Sequence, residues 1–422
     1  MYLGRKVSCF VVLILALSPA LHVTWRFMGS GLSYLLLLLS VACMFVYRRE
    51  HGVLWPEWRR WLPLMLACMF LSLVILAGDV FRGMWHAASF EKSLRYTTIV
   101  PLVWLFSRIE PALLRQVQWG IVAGALWCAW LLIFPEVRAG TRPDTIQYTL
   151  YNTVGFGALT LIYACLSFIS LGWDSGRIGR FGSVLKYIAG LLALYGVFCS
   201  ETRTAWLAAP GSVLIAVVML RRFALWKRVL VCATFLLVGG LVLSNSVIWQ
   251  KRIDLAVTQA QECQDEPTAD TSVCIRSQLW RAATEMVRAN PFFGVGAGTG
   301  FSDNLQQQAD DGHVAHSVAR DYGEAHNDYF YIAASHGLLG LLGFALAMFV
   351  MPAIYLFSKT QVSDRAIAWA AAMGLTVVLS FVAFGTTEMM FRNMRTASFY
   401  AIWLACFLAL AWGQVIAAKP KS

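Results

Sequence analysis

Charge is scarce in this sequence, and negative charge scarcest. Asp, Glu, Lys and Arg make up only 14% of the 422 residues, and 23 acidic residues stand against 34 basic ones. Soluble domains are roughly a quarter charged and about half apolar, so this deficit, set beside 59% hydrophobic residues, excludes an ordinary soluble protein. Disorder and low-complexity fibres are excluded on the same ground. The formal net charge of +11 suggests a nucleic-acid binder, but such a patch needs water-exposed surface, and most of this chain is too apolar to supply it.

What the sequence does hold is long apolar runs. A bilayer core of ~30 Å takes roughly 20 helical residues to cross, and backbone groups in lipid must pair within the segment, which makes such runs helices. About twelve occur, near 7–22, 31–47, 61–78, 94–107, 117–134, 154–172, 186–200, 205–220, 229–247, 328–357, 366–385 and 398–416. The fold class expected is therefore an all-α polytopic membrane protein, with spans one to nine in 1–248, a large loop in 249–327 and the last three spans in 328–422. The first run follows Gly4-Arg5-Lys6 and resembles a signal peptide. The weak small-residue pattern at Ser18-Pro19-Ala20 favours an uncleaved first helix.

Orientation follows from the basic residues. With the N-terminus cytoplasmic, about 19 of the 34 Lys and Arg fall in short inside segments, among them Arg48, Arg49, Arg59, Arg60, Arg221, Arg222, Lys227 and Arg228. Both termini are then cytoplasmic. Eight of the ten cysteines lie in or beside apolar spans, where a thiol behaves as a small hydrophobe. Cys263 and Cys274 lie outside, in the loop, where a disulfide suits an oxidising periplasm.

Residues 249–327 form the one long polar loop, and chemistry collects on loops carried by a rigid scaffold. Thr271 or Ser272 can cap a helix that runs to Asn290 and is stopped by Pro291. At ~100° per residue, Ile275, Leu279, Ala282 and Met286 form one apolar stripe, with Arg276 on its flank beside Trp280. The run Gly294-Val295-Gly296-Ala297-Gly298-Thr299-Gly300 reads first as a tight turn, and second as a backbone nest for an anion. His313 and His316 have a spacing zinc can use, but no cysteine completes a set, and no metal site is expected. His326 and His336 lie ~15 Å apart along a helix and cannot share a site. His326, at the water boundary beside Glu324, has the imidazole suited to proton transfer at its ordinary pKa near 6.5. Arginines also occur in the shorter outer segments, as Arg142, Arg203, Arg392 and Arg395. Singly these are anchors, whereas several converging on one face would bind a polyanion through bidentate forks.

Three stretches resemble the O-antigen ligases, a family related to the O-antigen polymerases. They are His326-Asn327 followed by Gly337-Leu338-Leu339-Gly340-Leu341; Arg276-Ser277-Gln278-Leu279-Trp280 followed by Asn290-Pro291-Phe292-Phe293-Gly294-Val295-Gly296; and Arg203-Thr204-Ala205-Trp206. The resemblance implies a membrane glycosyltransferase of GT-C-like architecture in a Gram-negative inner membrane. It would move a glycan from undecaprenyl pyrophosphate to a sugar hydroxyl of lipid A-core at the periplasmic face, by inversion and without metal or other cofactor. It also implies roles: His326 as general base, Arg203 and Arg276 as pyrophosphate ligands, Arg142 as a weaker addition placed by topology, and Glu324 and Asn327 in support. No Asp-x-Asp pair occurs in the outer segments, in keeping with that metal-free scheme.

Three rivals share the layout. A polymerase would carry Arg-x10-Gly motifs in outer loops, and none is present. A protein O-oligosaccharyltransferase would often add a C-terminal domain, which is not expected after Lys419-Pro420-Lys421-Ser422. A polyprenol-linked glycan transporter would show matching halves and polar residues near mid-span, whereas here the polar residues gather at one interface.

Overall fold

In a computed structural model of the chain the described residues are 2–25, 27–83, 91, 94–139, 145–146, 151–174, 179–219, 224, 226–230, 233–234, 237, 240, 247–296 and 298–413. Among them are nine helices long and apolar enough to cross a bilayer. In chain order the main helices are α1 (Arg5–Thr24), α2 (Met28–His51), α3 (Trp58–Phe81), α4 (Ile99–Ser107), α5 (Val117–Ala139), α6 (Thr153–Ile169) and α7 (Gly179–Cys199). Next come α8 (Arg203–Trp206), α9 (Ala209–Met219), α10 (Val247–Asp265), α11 (Ser272–Ala289), α12 (Gly300–Asp310) and α13 (His316–Asp321). The chain closes with α14 (Asp328–Phe344), continued through a π segment into α15 (Met351–Phe357), then α16 (Arg365–Phe384) and α17 (Met394–Trp412). Apart from a two-residue strand pair, Thr145–Ile146 with Tyr151–Asn152, the described structure is helix and connection.

Nine of the twelve expected spans coincide with these crossing helices. The other three differ. The run at 94–107 yields the short helix α4, the run at 205–220 is broken into α8 and α9, and 229–247 lies largely outside the described residues. The break between α8 and α9 leaves Arg203 in its own single-turn helix, after Thr202 in extended backbone.

Helix α17 is the centre of the bundle, buried on nearly all sides and packed against α16, α4 and α2. Leu38, Leu73 and Phe81 point outward, as lipid-facing residues should. Close approach of α1 to α5 depends on Gly120, where a Cβ would lie 2.2 Å from the Ala16 carbonyl oxygen. The direction of each helix sorts the connections into two ends. One end carries the 153 start of α6, the 199–203 connection, the start of α14 and the 385–393 connection between α16 and α17. The other carries Glu57, Arg108, Asp174 and the start of α7. Helices α10 to α13 cluster at the first end.

Candidate functional site

The start of α14 is tied down on both sides. Asn327 caps the helix, its side-chain oxygen accepting from the Tyr329 and Phe330 amides, while its amide nitrogen donates to the Thr386 carbonyl at 2.8 Å. The next residue reaches the same connection: Asp328 N–H donates to the Gly385 carbonyl, and its carboxylate accepts from the Met390 and Phe391 amides at 2.9 and 3.2 Å. Asn327 and Asp328 thus fasten 385–393 beside His326. His326 itself sits at φ 47, and Glu201, just ahead of α8, at φ 51. These are the two non-glycine residues with positive φ among the described ones, and both lie at this end. Such backbone costs about 1–3 kcal/mol, persists only where its surroundings enforce it, and clusters at functional sites.

Helix α11 is brought to His326 by its own sequence. The stripe of Ile275, Leu279, Ala282 and Met286 is buried as its spacing predicts. Trp280 Nε1 donates to the Ala325 carbonyl at 3.0 Å, and its ring stacks on Phe330 at 5.5 Å. The glycine run that follows makes the second fastening. α14 breaks at Gly337 (φ 70), and the carbonyls of Ala334 and Ser335 accept from the Val295 and Gly296 amides at 2.7 and 2.9 Å. The Leu338 amide returns a bond to the Pro291 carbonyl. A Cβ on Gly337 would lie 2.2 Å from Phe292, and one on Gly294 would lie 2.3 Å from the Ala334 carbonyl. Only glycine fits at either place. The amides of Val295 and Gly296 are therefore spent on α14, and the turn reading of this run holds there over the anion nest.

Between these parts opens a cleft of about 370 Å³ lined by Asn152, Gly155, Glu324, His326, Glu388 and Arg392 among others. That size lies within the roughly 300–1,000 Å³ of small-molecule sites. Arg276 meets Glu388 of the cleft wall, Nη2 to Oε1 3.6 Å, with about a third of the Arg276 side chain exposed. This guanidinium thus pairs with a residue of the cleft instead of standing alone at the boundary. Arg392 pairs closely with Glu324 Oε2, while Glu324 Oε1 lies 3.7 Å from His326 Nδ1, too far for a hydrogen bond. Nδ1 is buried and has no hydrogen-bond partner. The Tyr322 ring meets the imidazole edge-on at 5.3 Å.

The imidazole departs from the ordinary value expected from sequence. Burial first, and the positive charge of Arg276 second, push its pKa down to about 4. His326 is thus neutral at physiological pH and able to accept a proton. Burial also lowers the pKa of Arg392, which still stays charged.

Of the residues singled out from sequence, His326, Glu324, Asn327 and Arg276 come together here. The backbone of Arg203 starts α8, and the Thr204 hydroxyl lies 3.0 Å from that of Thr387, which fastens α8 to the 385–393 connection beside the cleft. Arg142 lies outside the described residues. Cys263 and Cys274 are joined, with Cα atoms 5.2 Å apart, linking α10 to the start of α11 two residues before Arg276. Among the described residues no three His, Cys, Asp or Glu are grouped to hold a metal ion. Sequence reasoning passed over Glu388 and Asp328, and gave Arg392 no role. The one available signal was their position at a membrane boundary in a chain poor in charge.

Comparison with known proteins adds two findings. A family model described as O-antigen ligase matches residues 188–345, a stretch that includes Arg203, Arg276, Glu324, His326 and Asn327 but not Glu388 or Arg392. An uncharacterized protein of Haemophilus influenzae is 20% identical over 345 residues, covering 80% of this chain and 82% of its own.

Proposed function

We propose, from the match of residues 188–345 to a family model described as O-antigen ligase, that this multi-pass membrane protein transfers a glycan from undecaprenyl pyrophosphate to a sugar hydroxyl of lipid A-core. The observation that carries the reading is a neutral His326 opening on a cleft whose Glu388 is paired with Arg276, at the end of the bundle where the headgroup of a lipid-linked donor would lie. In a Gram-negative inner membrane that end faces the periplasm, in keeping with the cytoplasmic bias of the basic residues and with the Cys263–Cys274 bond.

The chemistry follows from the groups present. His326 takes the proton of the acceptor hydroxyl, and the oxygen attacks the anomeric carbon from the side opposite the pyrophosphate. A new C–O bond forms as the C–O bond to pyrophosphate breaks, and the electron pair leaves on the pyrophosphate oxygen. Inversion at carbon is the stereochemical result. The charge that develops there is met by Arg276 and Arg203, with Arg142 a further candidate, through forks that match phosphate oxygens. Fixed guanidiniums supply the positive charge that a divalent ion would otherwise bring, so the reaction proceeds without metal. Glu388 holds Arg276 ready, and Asn327 holds the backbone on which His326 rides.

The test is reconstitution. Purified protein in liposomes receives a polyprenyl-pyrophosphate-linked glycan and lipid A-core, with EDTA present, and the product is followed on a gel. Joined product is expected. A product formed from two lipid-linked glycans, but not with lipid A-core, would replace this reading with polymerisation. Movement of the glycan lipid across the bilayer, with no joined product, would replace it with transport.

A further inference from the structure

Glu324 lies between a cation, Arg392, and an imidazole that is neutral, His326. One carboxylate oxygen is committed to Arg392, and the other is left 3.7 Å from a buried ring nitrogen of His326 that has no hydrogen-bond partner. A buried polar atom without a partner is costly, and native structures rarely leave one without a use. The Arg392 side chain is 40% exposed at the cleft, so its guanidinium can reach an incoming anion. Its backbone cannot stray, because the Arg392 carbonyl accepts from Arg95, whose guanidinium is held in turn by the Glu91 carboxylate. The Arg392 side chain, paired with Glu324 and 5.7 Å from the centre of the Tyr331 ring, is the part left to turn.

We propose that Arg392 is a further pyrophosphate-binding arginine, and that by turning to the donor it hands the Glu324 carboxylate to Nδ1 of His326. This deepens the reading above and rests on it. Before the donor arrives, Arg392 occupies Glu324 and the imidazole has no orienting partner. With the donor bound, Arg392 pairs with phosphate oxygens, and Glu324 accepts a hydrogen bond from Nδ1–H. That fixes the tautomer in which Nε2 carries the lone pair aimed at the acceptor hydroxyl, the logic by which a carboxylate orients a catalytic histidine elsewhere. The proton balance is simple. Nδ1 keeps its hydrogen, Nε2 takes the hydroxyl proton, and the imidazolium formed is stabilised by Glu324. Donor binding thus switches on the base, and the acceptor is not activated at an empty site.

The groups that face His326 are Arg276 from α11, Glu388 and Arg392 from the 385–393 connection, and Glu324 and Tyr322 from its own segment. Arg276 and burial keep the imidazole hard to protonate. Placing a phosphate on the arginines and a carboxylate on Nδ1 both act the other way. The handover therefore predicts a His326 that protonates more readily once the anion is bound.

Glu324 is a positioning residue, and the readout is the protonation of His326 itself. Full-length protein in nanodiscs is treated with diethyl pyrocarbonate, which acylates an imidazole only in its neutral form, across a pH series. The extent of modification at His326 is read by peptide mass spectrometry, with and without inorganic pyrophosphate. In the wild type, pyrophosphate should raise the midpoint by about one pH unit or more. In R392Q the midpoint should already be raised without pyrophosphate, because Glu324 has lost its competing partner. R392K keeps the charge and should stay near the wild-type midpoint. In E324Q the pyrophosphate response should shrink to the part that comes from the charge of the bound anion alone. An R392Q midpoint equal to wild type overturns the proposal, as does an R392K midpoint that moves as far as R392Q, or an E324Q response as large as the wild type's. The R392Q arm uses neither donor nor acceptor, so its result is independent of whether ligation is the reaction catalysed.

Discussion

Both ends of the helix bundle hold ion pairs, and they are built differently. At the end away from His326, Lys186 is fully buried and its ammonium has three acceptors: Asp174 at 2.5 Å, Gln118 at 2.7 Å and the Ser170 carbonyl at 2.9 Å. Trp119 lies beside it, 5.4 Å from the ammonium. An ammonium has three hydrogens to donate, so this site is closed and nothing can be added. At the other end Arg276 and Glu388 stand 3.6 Å apart, Arg276 is a third exposed, and His326 Nδ1 is unpaired above Glu324. Here hydrogen-bonding capacity is left over. A satisfied buried network holds helices in register, while an unsatisfied one facing a cleft is arranged for a ligand.

That contrast breaks or sharpens under substitution. The largest effect on transfer is expected at His326: His326→Ala should lower kcat by about 10²–10⁴-fold, the usual worth of a positioned base, with little change in thermal stability. Lys186→Ala should show the reverse. It strands Asp174, which should cost about 3–5 kcal/mol of stability in a thermal or denaturant melt, while the folded fraction keeps its turnover. Equal loss of turnover in both variants would remove the distinction between the ends. Arg276→Lys comes next, with kcat/KM down by about 10–100-fold, since a point charge does not reproduce the bidentate fork. Arg203→Lys should fall in the same range. Glu388→Gln should be the mildest, about 3–10-fold in kcat/KM, because it loosens Arg276 without removing it. With a His326 pKa of about 4 in the empty enzyme, kcat/KM should show no acid limb between about pH 5 and 8. A limb near 6.5 would mean that the imidazole is unperturbed.

Much of the fold is legible in the sequence because a membrane span needs only length and apolarity. Nine runs reappear as crossing helices on that basis. The run at 205–220 does not, since hydropathy cannot see that the chain turns at Leu207 and Ala208 between α8 and α9. The site was half legible. His326 and Arg276 stand in recognisable strings, and the reason for the glycines among them became visible only once the break at Gly337 was seen to receive the turn at 291–296. Glu388 and Arg392 could not be found in that way. They reach Arg276 and Glu324 across more than sixty residues of sequence, and no local pattern encodes such a contact. The shift of His326 was hidden for a related reason, because burial and the approach of Arg276 are properties of the assembled site.

The most direct measurement is acceptor-dependent release of polyprenyl pyrophosphate in a single turnover, followed side by side in wild type, His326→Ala and Lys186→Met. Wild type and Lys186→Met should release it only when lipid A-core is supplied, and at similar rates per folded molecule, while His326→Ala should not. Release by His326→Ala at the wild-type rate, or loss of release in well-folded Lys186→Met, would contradict the assignment of transfer chemistry to the His326 end.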